Sequence, residues 1–344
     1  IFEFIFTNFI FSNCLNINAN KVGDILETSS DLNDAEIVNV GKINMGVNLF
    51  NTVDVSDVTV NVIPKTTVVP LGNAIGLKLY TEGVLVVGMS EIEGIKPYEN
   101  TGIEEGDRII SINDKKIEST EDLIATVNGA QGKEIEIRYI SNENEELTTN
   151  ITPAKTKDNE YKLGLWVRDA AAGVGTATFY EPSSGMFASL GHGITDIDTG
   201  SLVTIANGEL VNSNIISVVK GEKGKPGEIR GSIEGQPKLG DISKNTSYGI
   251  FGKISNEAKL QSTEKEMEVL ARNEIKQGKA QIICELENGN KKYYNIEIQK
   301  IYTANNQDNK SMLIRVTDKE LLEKTGGIIQ AMSGWPIIQD GNFI

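Results

Sequence analysis

One histidine, two cysteines, two tryptophans and eight prolines are all that the 344 residues contain of those types. Each shortage removes some chemistry. The two thiols, Cys14 and Cys284, lie in unrelated segments. With a single imidazole they cannot assemble a structural zinc site, and they imply no disulfide framework. Neither a metal nor a cofactor is expected. Cys284, inside the strand-like run Ala280-Gln281-Ile282-Ile283-Cys284-Glu285-Leu286, reads as a buried apolar thiol. Cations are also short: 33 Lys and Arg against 48 Asp and Glu give a net charge of −15. No Lys/Arg stripe offsets repulsion from phosphate, so a nucleic-acid partner is excluded. Long apolar runs are almost missing. The most apolar stretch, Ile1 to Phe11, is shorter than the ~20 residues that a helix needs to cross a bilayer. Polar sequence follows it at once, so residues 1–16 read as the tail of a signal or membrane anchor, with a buried strand as the other possibility.

Glycine is plentiful at 34, and short Val/Ile/Thr-rich runs recur between turn signals. The fold class is mainly β. Residues 17–66 read as linker and a small β segment, in which Val53, Val55, Val58, Val60 and Val62 alternate up to Pro64. A unit over 67–155 follows. Gly72-Asn73-Ala74-Ile75-Gly76 is a glycine-bracketed loop running into a strand, and Val84 to Val87 is a second, buried strand. A helix is expected from about Thr120 to Asn128, started by Ser119 with Asp122 three residues on. The order of these elements, with Gly102-Ile103-Glu104-Glu105-Gly106-Asp107-Arg108-Ile109-Ile110-Ser111-Ile112-Asn113, resembles a PDZ domain. That resemblance implies capture of a chain terminus or extended segment, of a partner or of the chain itself, with the N–H groups of Gly72 to Gly76 holding a carboxylate.

Residues 160–344 change to short strands between glycine turns, a barrel or sandwich pattern, with Asn288-Gly289 as a hairpin signal. Here lies the sole imidazole, in Leu190-Gly191-His192-Gly193-Ile194-Thr195-Asp196. Imidazole is the side chain best suited to move protons near neutral pH. Far downstream, Ser333 stands on the turn Met332-Ser333-Gly334-Trp335-Pro336. Gly334 lets the chain bend behind the hydroxyl, and the N–H groups of Ala331 and Ser333 can converge as an oxyanion hole. A third group, a carboxylate to orient the imidazole, is open on spacing alone. Asp241, the near pair Asp196 and Asp198, and Asp318 all qualify, the last also reading as a helix-start acid.

The runs Leu163-Gly164-Leu165-Trp166-Val167-Arg168-Asp169, Gly173 to Tyr180, Leu190 to Gly200 and Thr317 to Gln330 resemble the stage IV sporulation protein B peptidases. The resemblance implies an anchored serine endopeptidase with a PDZ domain and a chymotrypsin-like double β-barrel, and a triad of His192, Asp318 and Ser333. It further implies action in the forespore intermembrane space on a membrane-bound sporulation regulator, ending in activation of a late mother-cell sigma factor. Two positions depart from the family run Gly-Met-Ser-Gly-Ser-Pro. Ala331 brings a β-carbon to the oxyanion position, and Trp335 is expected to crowd the substrate. The chain ends eleven residues beyond Ser333, where further strands of a second barrel are expected, so it reads as a fragment. The alternative function is a catalytically inert PDZ scaffold.

Overall fold

The computed structural model describes residues 41–49, 53–62, 66–255, 264–302 and 311–344. The anchor expected at residues 1–16 and the linker before residue 41 lie outside the described residues. Among the described residues no helix is long and apolar enough to cross a membrane. The chain divides into two compact units, one of residues 1–67 with 268–276 and 344, the other of residues 68–267 with 277–343. In the first, the valine alternation forms a hairpin. Strand β1 (Gly41–Leu49) pairs antiparallel with β2 (Val53–Val62).

The second unit is mostly β and contains two cores. Strand β3 (Thr67–Pro70) leads into β4 (Ala74–Met89), sixteen residues long. Then come β5 (Arg108–Ile112), the two-residue β6 (Lys115–Lys116), helix α1 (Thr120–Gly129), β7 (Ile135–Ile140) and β8 (Glu146–Ile151). As expected, Ser119 Oγ accepts the N–H of Asp122 and caps α1, an interaction worth about 1 kcal/mol. Leu123 and Val127 of the helix are buried with Val84, Val86, Ile109, Ile112 and Ile137. Alternation along β7, Ile135, Ile137 and Tyr139 inward, supplies the opposite wall. These residues form the PDZ-like half. Its Asp107 carboxylate receives the N–H groups of Glu104 and Asn142. Burial nevertheless pushes its pKa up, against the pull of those two bonds.

The second core lies inside a closed barrel. After the short β9 (Ala154–Lys155) and β10 (Tyr161–Lys162) come β11 (Leu165–Glu181), β12 (Met186–Ser189), β13 (Ile205–Asn212), the hairpin β14 (Asn214–Val219) and β15 (Glu228–Ser232), β16 (Lys238–Thr246) and β17 (Gly249–Ile254). Strand β4 pairs with β11, β11 with β12, β12 with β17, β17 with β16, β16 with β13, and β13 with β4 again. That path closes an antiparallel ring and leaves no free edge within it. Leu77, Leu79, Ala177, Phe187, Leu210, Ile242 and Ile250 fill the interior.

Strand β4 therefore serves both halves. Its first part pairs with β13 and with Ala170 to Thr176, while its last part pairs with β5 and with Leu165 to Arg168. Between them Thr81 to Val84 form a bulge in the pairing with β11, with Gly83 at φ 76° and Thr81 Oγ1 donating to Gly83 O. Gly72, Asn73, Ala74, Ile75 and Gly76, expected as an open carboxylate-binding loop, lie in the barrel wall. Gly72 N–H bonds to Ala177 O, Ala74 N–H to the buried carboxylate of Glu285, and Lys291 reaches Asn73 Oδ1. Ile75 is fully buried, and a β-carbon on Gly76 would fall within 2.2 Å of Ile233. A chain terminus has no access to donors already occupied in this way.

The remaining strands, β18 (Met267–Glu268), β19 (Gly278–Glu287), β20 (Asn290–Ile301), β21 (Met312–Val316), β22 (Ile337–Gln339) and β23 (Asn342–Phe343), include a five-stranded antiparallel sheet in the order β21-β20-β19-β22-β23. Asn288-Gly289 turns β19 into β20 as expected, with Gly289 at φ 71°. Cys284 is fully buried in β19, and burial pushes its thiol pKa far up, reinforced by the Asp318 charge. Helix α2 (Lys319–Thr325) follows β21. Phe343 meets Phe179 of the barrel edge to face, with centroids 5.5 Å apart.

Candidate active site

His192 sits just past β12, at the mouth of the barrel. Leu190 and Gly191 take φ of 69° and 73°, which turns the chain outward and leaves the imidazole exposed. Its Nδ1 lies 2.8 Å from Gly193 O. A carbonyl only accepts, so that partner assigns the hydrogen to Nδ1 and leaves the lone pair on Nε2.

Two side-chain clamps fix this loop. Asn245 on β16 accepts the N–H of Ile194 at 2.9 Å and donates to Ile194 O and Val203 O, both at 2.8 Å. Asp196, 3% exposed, accepts the N–H groups of Asp198 and Thr199 through Oδ1. Its Oδ2 receives Arg168 Nη1 at 2.5 Å, and Arg168 Nη2 reaches Asp198 at 2.7 Å. Burial opposes the Asp196 charge, but the Thr199 and Asp198 N–H groups and the Arg168 guanidinium outweigh it and hold its carboxyl below the ordinary value.

The Ser333 turn is held by its main chain. Helix α2 ends at Gly326 in the left-handed conformation. Gln330 then pairs with β15, its N–H on Gly227 O and its carbonyl on Ile229 N–H. Ala331 takes φ 70°, and its carbonyl accepts Thr176 Oγ1 at 2.9 Å. Gly334 stands at φ 90°, where a β-carbon would lie 2.5 Å from Leu190 N and 2.8 Å from Leu190 Cα. Only glycine lets this turn sit against the root of the histidine loop. Ser333 is exposed. Among the described residues, neither the N–H of Ala331 nor that of Ser333 makes a hydrogen bond.

The two loops meet at one cavity of about 310 Å³. His192, Ser333 and Ala331 line it, with Leu77, Val174, Leu190 and Ile194 as apolar wall. Trp335, expected to crowd this space, is instead buried at 9% exposure and forms no part of the wall.

None of the candidate carboxylates bonds to the imidazole. Asp241 pairs with Lys238 at 2.7 Å, and Asp196 and Asp198 hold Arg168. Asp318 caps α2: Oδ1 accepts the N–H groups of Glu320 and Leu321, and Oδ2 those of Asn295 backbone and side chain. The structure thus brings His192, Ser333 and Ala331 together and places Asp318 outside their cavity. The clamping residues Arg168 and Asn245 were not singled out from the sequence. Arg168 stands in the run Trp166-Val167-Arg168-Asp169, but its partners lie 28 and 30 residues away.

A family model described as SpoIVB peptidase S55 matches residues 159–344. A PDZ domain model matches residues 45–152. Among solved structures, the PDZ domain of the SdrC-like protein from Listeria monocytogenes is 18% identical, with 25% of this chain and 87% of that chain covered and a TM-score of 0.22. No curated protein matches the chain.

Proposed function

The chain belongs to the SpoIVB peptidase S55 family, and from that premise we propose that Ser333 attacks the scissile carbonyl while His192 Nε2 takes its proton. Family membership makes the protein a sporulation serine peptidase that carries a PDZ domain. The observation that carries the site assignment is the shared cavity of the lone imidazole and the exposed serine hydroxyl. With Nδ1 bonded to Gly193 O, the basic nitrogen is the one left to face a nucleophile. The free N–H groups of Ala331 and Ser333 then stabilise the tetrahedral oxyanion. The imidazolium returns its proton to the leaving amine, and water repeats the cycle on the acyl-enzyme.

Asp318 is assigned the third role on the family resemblance. In the structure both of its oxygens are occupied by the α2 cap and Asn295, so orienting the imidazole requires that first turn of α2 to release it. The proposed substrate is a membrane-associated regulatory protein of the forespore intermembrane space, whose cleavage triggers activation of a late mother-cell sigma factor. An N-terminal anchor would keep enzyme and substrate on one surface. The PDZ-like half would hold a chain terminus or extended segment and direct proteolysis.

Labelling of the full chain with a fluorophosphonate tests the nucleophile. Labelling is expected, and Ser333→Ala or His192→Ala should each abolish it. A folded chain that never labels is the inert scaffold. Asparagine caps a helix as well as aspartate does, but its NH2 group puts a donor where Oδ2 accepts Asn295, so Asp318→Asn should stay folded at a cost of about 1–3 kcal/mol. If Asp318 orients the imidazole, that variant should lose about 10³–10⁴ in kcat. Full activity would leave a Ser333–His192 pair acting alone.

A further inference from the structure

A second cavity, of about 290 Å³, lies where the PDZ-like half meets the histidine loop. Arg108, Ser141 and Asn142 line it from one side, and Thr199, Ser201 and Thr204 from the other. Arg108 is only 7% exposed. Among the described residues its buried Nη1 has no hydrogen-bond partner and makes only a long ion pair. The nearest anion, Glu82 Oε2, stands 3.5 Å away on a side chain that is 58% exposed. A buried guanidinium nitrogen without a hydrogen-bond acceptor is costly, and a 3.5 Å pair with a largely solvated carboxylate offsets only part of the lost water. The hydroxyl and amide groups around it offer donors as well. The carboxylate of Asp196 also lines the cavity, but it is occupied by Arg168 and two main-chain N–H groups. The cavity therefore has a cation, with hydroxyl and amide groups able to donate around it, and no carboxylate of its own left free.

We propose that this cavity binds a carboxylate, which bridges Arg108 to the loop that carries His192. Guanidinium and carboxylate are matched in charge and planar geometry. The volume suits a small organic acid or the last residue of a chain, two sources of the same group. Binding would tie Thr199 to Thr204 to β5 and so stiffen the His192 loop from its far side. The regulatory half of the proposal rests on His192 being the catalytic base. The binding half does not.

The test uses the full chain, with sodium acetate, a tripeptide with a free carboxyl end and the same tripeptide amidated, all at constant ionic strength. The readout is the Arg108 side-chain N–H resonance. Acetate and the free-ended peptide should shift it saturably, and the amidated peptide should not. A response to acetate alone assigns a small acid, and a response to the free-ended peptide alone assigns a chain terminus. Arg108→Gln should weaken binding by about thirtyfold or more, as expected for losing a charged hydrogen-bond partner. Should that variant fail to fold, Ser201→Trp, on the exposed loop, fills the cavity and serves in its place. An unsaturable shift, the same shift with sodium chloride, or binding that survives in the folded variants overturns the proposal. His192 is the sole histidine, so its ring gives one signal. Movement of that signal with the Arg108 resonance supports the coupling, and a silent His192 removes it while the carboxylate site stands.

Discussion

The histidine loop and the Ser333 turn face the same cavity but are held by different means. Charged and amide side chains hold the first: Arg168 on Asp196 and Asp198, and Asn245 on Ile194. Main-chain pairing and steric fit hold the second, through Gln330 on β15 and Gly334 against Leu190. Side-chain clamps can be weakened stepwise by charge or pH, whereas a backbone contact at van der Waals limit either fits or does not. The proposed general base, His192, therefore sits on the adjustable side of the site and the proposed nucleophile, Ser333, on the fixed side.

The sharpest way to break this contrast is Gly334→Ala. The added carbon would lie 2.5 Å from Leu190 N, so the turn must move away from the histidine loop. Strain of this kind, with a side chain at positive φ, costs about 1–3 kcal/mol. A displacement near 1 Å at a reacting group costs about a hundredfold in rate. Fluorophosphonate labelling should slow by at least that factor while the melting temperature falls only modestly. Unchanged labelling would mean that the two loops do not need this contact.

Arg168→Gln probes the adjustable side and should have a smaller effect. Asp196 is buried, but the Arg168 side chain is 35% exposed, so solvent screens the pair. The expected loss is about 1–2 kcal/mol, below that of a fully buried ion pair. Its pH dependence has a definite sign. Asp196 has a depressed pKa in the folded protein, so its contribution is present above its unfolded value, near 3.9, and disappears as pH falls through the folded value. Without the guanidinium that fall begins at higher pH. The deficit of the variant should be full at neutral pH and shrink in acid, as Asp196 protonates in both proteins. Urea melts across pH measure it, and a deficit independent of pH would assign Arg168 a packing role only.

The same contrast explains what was legible in the sequence. His192 and Ser333 stand out because each is a rare or well-framed residue on a glycine turn, a local signal that survives without knowing the fold. The capped helix α1 and the Asn288-Gly289 turn are local in the same sense. The clamps are not, because Arg168 finds its carboxylates only when β11 runs past the histidine loop. The double role of β4 was hidden for the same reason. Alternating apolar residues at Ile75, Leu77 and Leu79 announce a strand, but only pairing with β13, more than a hundred residues on, decides which core they enter. Asp318 was readable both as triad member and as helix cap. The structure shows the cap, whose four donors are all close by in sequence or on the adjacent strand β20.

Ala331→Gly is the mildest test of the fixed side. Alanine at φ 70° carries the left-handed cost of an L residue, roughly 1–2 kcal/mol. Glycine removes that cost but gains about 0.4–1 kcal/mol of freedom in the unfolded chain. The net expectation is a gain of about 0.5–1 kcal/mol, seen as a higher urea midpoint with an unchanged slope. The Thr176 hydroxyl still reaches the residue's carbonyl, and the N–H still points where φ directs it. Labelling of Ser333 should therefore stay within about twofold, a difference worth less than 0.5 kcal/mol. A loss of stability would mean that the turn is not strained at this position, and a large gain in labelling would mean that the β-carbon, not the N–H direction, limits the oxyanion site.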